Sequence, residues 1–148
     1  MKIVMPGNGP FTNRGCEAIV RGTTACLDQW STSIDYHTVT AFPSDRAFAA
    51  QRDQERDGRI THHALRFPRR RFGARWFQHR LARLAGSATY LHHAYAPLLE
   101  AMRGSAVILQ IGGDNYTVES GALPGIQMAM DRLAIDRDLP VVLWGASV

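Results

Sequence analysis

Three short apolar runs in this chain lead into glycine loops. Lys2 to Met5 leads into Pro6-Gly7-Asn8-Gly9, Ala106 to Ile111 into Gly112-Gly113, and Val141 to Trp144 into Gly145. A near-continuous apolar run of this length suits a strand covered on both faces, as in a central parallel strand. The glycine that follows suits a tight turn from strand into helix. Between the runs, apolar spacing lengthens to that of a helix. Cys16, Ile19, Val20, Thr23, Cys26, Leu27 and Trp30 make one stripe, and Leu123, Ile126, Met130, Leu133 and Ala134 another. This alternation predicts an α/β fold: a Rossmann-like parallel sheet flanked by helices, in a single domain over residues 1–148.

The intervening segments read less sharply. Asn13 is expected to cap a helix starting at Arg14 or Gly15. Ile34 to Val39 alternates and is rich in β-branched residues, so a second strand is expected there, and a short third strand over Arg59 to His63. Phe42 to Gly58 is polar with scattered Ala and Phe, and reads as loop or weak helix. Arg69-Arg70-Arg71 sits in a basic turn. Trp76, Phe77, Leu81 and Leu84 share a helical face, and Tyr90 to Met102 reads as a helix broken or offset near Pro97.

Composition excludes several classes. With 148 residues, 45% hydrophobic and 20% charged, a core forms without disulfides or metals. Cys16 and Cys26 match neither a CxxC nor a Cys/His metal spacing, and a bridge between them, ten residues apart in one helix, would be strained. No stretch approaches the roughly 18 apolar residues of a membrane span. The amino-terminal apolar run is too short for a signal-peptide core. The expected location is the cytoplasm, and peripheral attachment at the inner face of the membrane is compatible with it. Net charge is +4, concentrated between Arg46 and Arg83, where eleven arginines face three acids, Asp53, Glu55 and Asp57. Such a segment suits phosphate, an acidic polysaccharide, anionic lipid or nucleic acid.

In open parallel sheets, ligands bind beyond the carboxyl ends of the strands. Three glycine loops are expected on that edge, each leading toward a helix N-terminus with N–H groups for an anion or a sugar hydroxyl. Gly7-Asn8-Gly9-Pro10 lacks the third glycine of a dinucleotide fingerprint, and no GK[ST] follows it, so NAD and ATP are disfavoured. Glu17 lies in the first turn of the helix, where it either stabilises the helix end or meets a substrate hydroxyl. Asp114 follows a glycine pair and suits an Asx turn, an N-cap or a general base. Asn115 and Tyr116 add groups suited to carbohydrate. His62-His63 and His92-His93 are tandem pairs whose members point apart, so no metal site is expected from them.

The segments Gly7-Asn8-Gly9 through Asn13-Arg14-Gly15-Cys16-Glu17-Ala18, Ile111-Gly112-Gly113-Asp114-Asn115-Tyr116 and Val141 through Gly145-Ala146-Ser147 together resemble the amino-terminal half of the polysaccharide pyruvyl transferases. In this chain Cys16 takes the place of an acid frequent before the Glu, and Asp114 that of a third glycine. The resemblance implies the N-terminal domain of a two-domain enzyme like the GT-B glycosyltransferases. It implies transfer of pyruvate from phosphoenolpyruvate to a sugar hydroxyl, forming a ketal in exopolysaccharide biosynthesis. A truncated chain is then expected: it would carry the acceptor-side loops, lack the C-terminal domain, and be inactive alone. Asp114 and Glu17 are the expected catalytic residues. Gly7, Asn8, Gly9, Asn13, Arg14, Gly15, Gly112, Gly113, Asn115, Tyr116 and Gly145 are the expected substrate-binding residues. No cofactor, metal or nucleic-acid partner is expected; the expected partners are phosphoenolpyruvate and a saccharide acceptor. Two other readings stand beside it: a GT-B-type glycosyltransferase half using a sugar nucleotide, and a standalone module binding an anionic polymer through the Arg46–Arg83 segment.

Overall fold

A strand needs one register and two covered faces, and the first apolar run finds both in the middle of the sheet. The computed structural model describes residues 1–67, 76–77, 80–81, 93–112 and 125–145. Among them, in chain order, lie β1 (Lys2–Pro6), α1 (Arg14–Asp28), β2 (Asp35–Thr40), α2 (Asp45–Gln54), β3 (Ile60–Ala64), α3 (Ala96–Met102), β4 (Val107–Ile111), α4 (Gly125–Ile135) and β5 (Val141–Trp144). The strands form one sheet in the order β3-β2-β1-β4-β5. Every pairing is parallel: Ile3 lies opposite Tyr36 on β2 and opposite Val107 on β4. The fold is therefore the expected Rossmann-like α/β arrangement.

Alternation along β1 divides the core in two. Ile3 and Met5 pack with Val20, Ile34, Tyr36, Ile60, Leu109 and Ile111 on the side of α1. Val4 turns the other way, to Val39, Leu98, Met102, Ile108, Met130 and Ala134, on the side of α3 and α4. Both faces of β1 are thus closed, and Val4 and Met5 are fully buried. Burial of side chains this size stabilises the fold by ~1.5–3 kcal/mol each.

The helix ends follow local chemistry. Asn13 caps α1: its Oδ1 accepts from the Gly15 N–H at 3.0 Å. The helix closes past Asp28, where Trp30 N donates to Leu27 O at 3.0 Å. Trp30 therefore leaves the predicted stripe and is 81% exposed, and Cys26 is exposed too. Both cysteines are free thiols on one helix, ~15 Å apart along its axis.

The segment read as loop or weak helix contains α2, started by Ser44, whose Oγ accepts from Ala47 N at 3.1 Å. Residues 93–94 are helical, the chain turns at Tyr95, and Pro97 falls in the first turn of α3, where a missing N–H costs nothing. The break expected near Pro97 is thus a helix start.

One strand departs from expectation. β5 reads as buried, yet Val142 is 41% and Leu143 50% exposed. The reason is its place: among the described residues it is last in the sheet and pairs with β4 alone. The basic run Arg69–Arg71, Leu84, His92 and Leu123 lie outside the described residues.

Candidate functional site

The chain leaves β1 toward β2 on one side and leaves β4 toward β5 on the other, although β1 and β4 are neighbours. The strand order thus reverses between β1 and β4, and in a doubly wound sheet such a switch point at the carboxyl ends is the usual ligand position. Both loops start with left-handed backbone: φ is 89° at Gly7 and 139° at Gly112. A side chain at either position would be strained, so glycine is required there by conformation. Gly145, also at positive φ, ends the adjacent β5 on the same edge.

The first loop is tied down at several points. Asn8 is buried; its Nδ2 donates to Cys16 O at 2.7 Å, and its carbonyl accepts from Thr40 Oγ1 at 3.0 Å. Phe11 N donates to Gln51 Oε1 at 2.7 Å, and Asn13 N donates to Pro10 O at 3.0 Å. Asn8 and Asn13 thus use their side chains to shape the loop and begin α1. Gly9 has a packing role as well: a Cβ there would stand 2.9 Å from Cys16 Sγ. Gly9→Ala is expected to destabilise by ~1 kcal/mol, because Cys16 must leave its rotamer to make room. Adding Cys16→Ala should recover more than half of that loss, measured as a double-mutant cycle by chemical denaturation.

Arg14, Glu17 and Arg21 form a charged ladder outside this loop. Glu17 Oε2 meets Arg14 Nη1 at 2.6 Å, and its Oε1 lies 3.7 Å from Arg21 Nη2. Arg14 is exposed and Glu17 half-buried. Arg21 continues inward to Glu55 at 2.7 Å and lies over the Phe11 ring at 5.3 Å. Gly15 opens the first turn of α1 beside Arg14. Gly113, Asp114, Asn115 and Tyr116 lie outside the described residues. Behind the second loop, Gln110 is fully buried and donates from Nε2 to Asp131 Oδ1 at 2.6 Å. Its Oε1 has no partner among the described residues.

A buried polar cluster backs the first loop, and sequence reasoning missed it. His62 on β3 stands between Thr38 Oγ1, 2.6 Å from its Nδ1, and Glu55 Oε2, 3.0 Å from its Nε2; Gln51 Nε2 lies 3.2 Å from Nδ1. The Phe11 ring meets the imidazole edge-on at 5.0 Å. Burial pushes His62 below the ordinary histidine range, although Glu55 pulls the other way. Burial alone would raise Glu55, but hydrogen bonds from Arg21, the Asp57 N–H and His62 hold it low. The available signal was the polar alternation of Thr38 and Thr40 within an otherwise strand-like run.

His63 points to the opposite face, as adjacent strand residues must. There its Nε2 lies 2.8 Å from Nδ1 of His37, with the rings stacked. Burial, with help from Lys2, pushes His37 down to about 4; burial also lowers His63. Among the described residues, no three His, Cys, Asp or Glu side chains are grouped to hold a metal. Nor is any described helix long and apolar enough to cross a membrane.

Part of the arginine-rich segment is engaged within the chain. Arg59 pairs with Asp28 at 2.8 Å and with Asp57 at 2.8 Å, and lies over the Tyr36 ring. Arg52 pairs with Asp53, and Arg80 covers Trp76.

Comparison with known proteins found no match: no family model, no curated protein and no solved structure is similar enough to count as one.

Proposed function

We propose that the chain is the acceptor-side part of a polysaccharide pyruvyl transferase, within a two-domain enzyme of GT-B type. The observation that carries this reading is the pair of positive-φ glycines, Gly7 and Gly112, ending neighbouring strands from which the chain departs in opposite directions. Both glycines fall in segments that carry the family resemblance, Gly7-Asn8-Gly9 through Asn13 to Ala18 and Ile111 to Tyr116, the third being Val141 to Ser147.

The reaction sets three demands. The methylene carbon of phosphoenolpyruvate takes a proton, the cationic carbon so formed takes a sugar hydroxyl, and phosphate departs; a second hydroxyl closes the ketal. This needs an acid, a base and cationic clamps. In this proposal Asp114 is the base for the sugar hydroxyl. Glu17 holds Arg14 at the mouth of the first loop rather than transferring a proton, because both of its oxygens face arginines.

The test supplies phosphoenolpyruvate and a polysaccharide acceptor to the polypeptide of the whole reading frame. Phosphate release matched by a new ketal methyl resonance on the acceptor is expected, and Asp114→Asn should lower the rate by about 100-fold or more. Turnover of a sugar nucleotide with none of phosphoenolpyruvate would overturn the proposal in favour of a glycosyltransferase.

A further inference from the structure

We propose that His62 is a positioning residue for the first glycine loop: acting through Gln51 on the backbone N–H of Phe11, it holds the loop when neutral and releases it when protonated. This deepens the reading of that loop as ligand-facing and rests on it.

The donor and acceptor roles in the cluster are forced. The Phe11 N–H is a donor, so the Gln51 atom 2.7 Å away is the carbonyl oxygen. The amide nitrogen of Gln51 must then face His62 Nδ1, at 3.2 Å. Nδ1 is therefore the nitrogen without hydrogen, and its one lone pair is shared between the Gln51 amide and the Thr38 hydroxyl, which donates at the shorter distance of 2.6 Å. The ring proton is left on Nε2, which donates to Glu55 at 3.0 Å. One direction of polarity thus runs from the loop backbone to an ionised carboxylate, itself held by Arg21.

A second proton on the ring lands on Nδ1 and reverses one end of this chain. The Thr38 hydroxyl adapts by rotating. That leaves the Gln51 NH2 group facing an N–H instead of a lone pair at 3.2 Å, donor against donor, and the amide relieves this by turning its oxygen to the imidazolium, which sets its NH2 group against the Phe11 N–H. The amide of Gln51 is thus a two-position element, and the loop hydrogen bond exists in one position only. The groups facing His62 are Thr38 from β2, Gln51 from α2, Glu55 just past α2, Phe11 from the loop, and Arg21 from α1 beyond Glu55, with Glu17 behind Arg21. His63 and His37 lie across the sheet. Glu55 favours the proton; burial and Arg21 oppose it, so release is set in mildly acidic solution, below the usual histidine range.

The experiment is residue-resolved amide exchange on the intact chain between about pH 7.5 and about pH 5, corrected for intrinsic rates, with Val4 in β1 as internal reference. Protection at Phe11 should fall about 5- to 10-fold more than at Val4, as expected for loss of one hydrogen bond. His62→Gln, which keeps an acceptor and a donor without titrating, should abolish that difference. On the unmodified protein, imidazole nitrogen shifts should put the neutral proton of His62 on Nε2. Parallel loss at Phe11 and Val4, an unchanged pH response in His62→Gln, or a proton on Nδ1 would each overturn the proposal. None of these readouts depends on pyruvyl transfer, so absence of that activity bears on the proposed function alone.

Discussion

Lowering the pH from about 7 to about 5 is expected to weaken the fold by ~1–2 kcal/mol through His37 alone, with His62 and His63 adding to the loss. The sign follows from the direction of the shifts. His37 is held down to about 4 in the folded chain, against 6.5 for the ordinary side chain, and His62 and His63 are also lowered. The unfolded chain therefore takes up protons first. The stability is fully present above the unfolded value and drains away as the pH falls from there through the folded value. The His37–His63 pair adds a geometric reason. One ring nitrogen of the facing pair must lack a hydrogen to accept from the other at 2.8 Å. The first proton enters on an outward nitrogen, but a second sets two N–H groups face to face. Urea denaturation across this range checks the expectation, and His37→Gln should flatten the dependence by about one proton. A midpoint that stays constant from about pH 7 to about pH 5 would count against it. Below that range the lowered carboxyls of Glu55, Asp28 and Asp57 take over, each losing its contribution as it protonates.

Glu55→Ala is expected to be the more damaging single change, at ~2–3 kcal/mol. Only 6% of the Glu55 side chain is exposed. Its Oε1 accepts from Arg21 Nη1 at 2.7 Å and from the backbone N–H groups of Arg56 at 2.8 Å and Asp57 at 2.9 Å, while Oε2 accepts from His62. Removing the carboxylate takes the acceptor from four donors: the buried His62 is left without it, while Arg21, still near Glu17, and the exposed Arg56 N–H turn to water. Glu55→Gln keeps the volume but replaces one acceptor oxygen with a donor, and should cost less, ~1–3 kcal/mol. Thermal or urea unfolding of the two variants gives the ranking. Equal effects from Ala and Gln would mean that volume, and not the accepted hydrogen bonds, is what Glu55 contributes.

How much of this was legible in the chain depends on what kind of signal each element leaves. β1 and β4 announce themselves because a strand closed on both faces is mostly apolar, and their terminal glycines because glycine takes the left-handed turn without strain. α2 left little trace: its sequence, DRAFAAQRDQ, buries one side chain, Gln51, and has no clear apolar stripe. β5 misled for the opposite reason, since Val-Val-Leu-Trp is what a central strand looks like, and position at the sheet margin is a property of topology. Trp30 continued a helical spacing past the point where the helix had closed. At the site, glycine positions were readable, while the cluster of Thr38, Gln51, Glu55 and His62 was not. Its members come from three elements, and no periodicity links residues whose only relation is that β2, β3 and α2 meet.

The ties on the first loop span long stretches of chain: 40 residues from Phe11 to Gln51, and 32 from Thr40 to Asn8. A loop held this way has lost its backbone freedom by the time the sheet is complete. Under the proposed function, a saccharide arriving at this edge would meet a loop already fixed in shape, and its association would forfeit little additional entropy from the protein. Selectivity in that proposal would rest on fit to the loop as held by neutral His62, so a near-analogue with one hydroxyl displaced would gain little from its rearrangement.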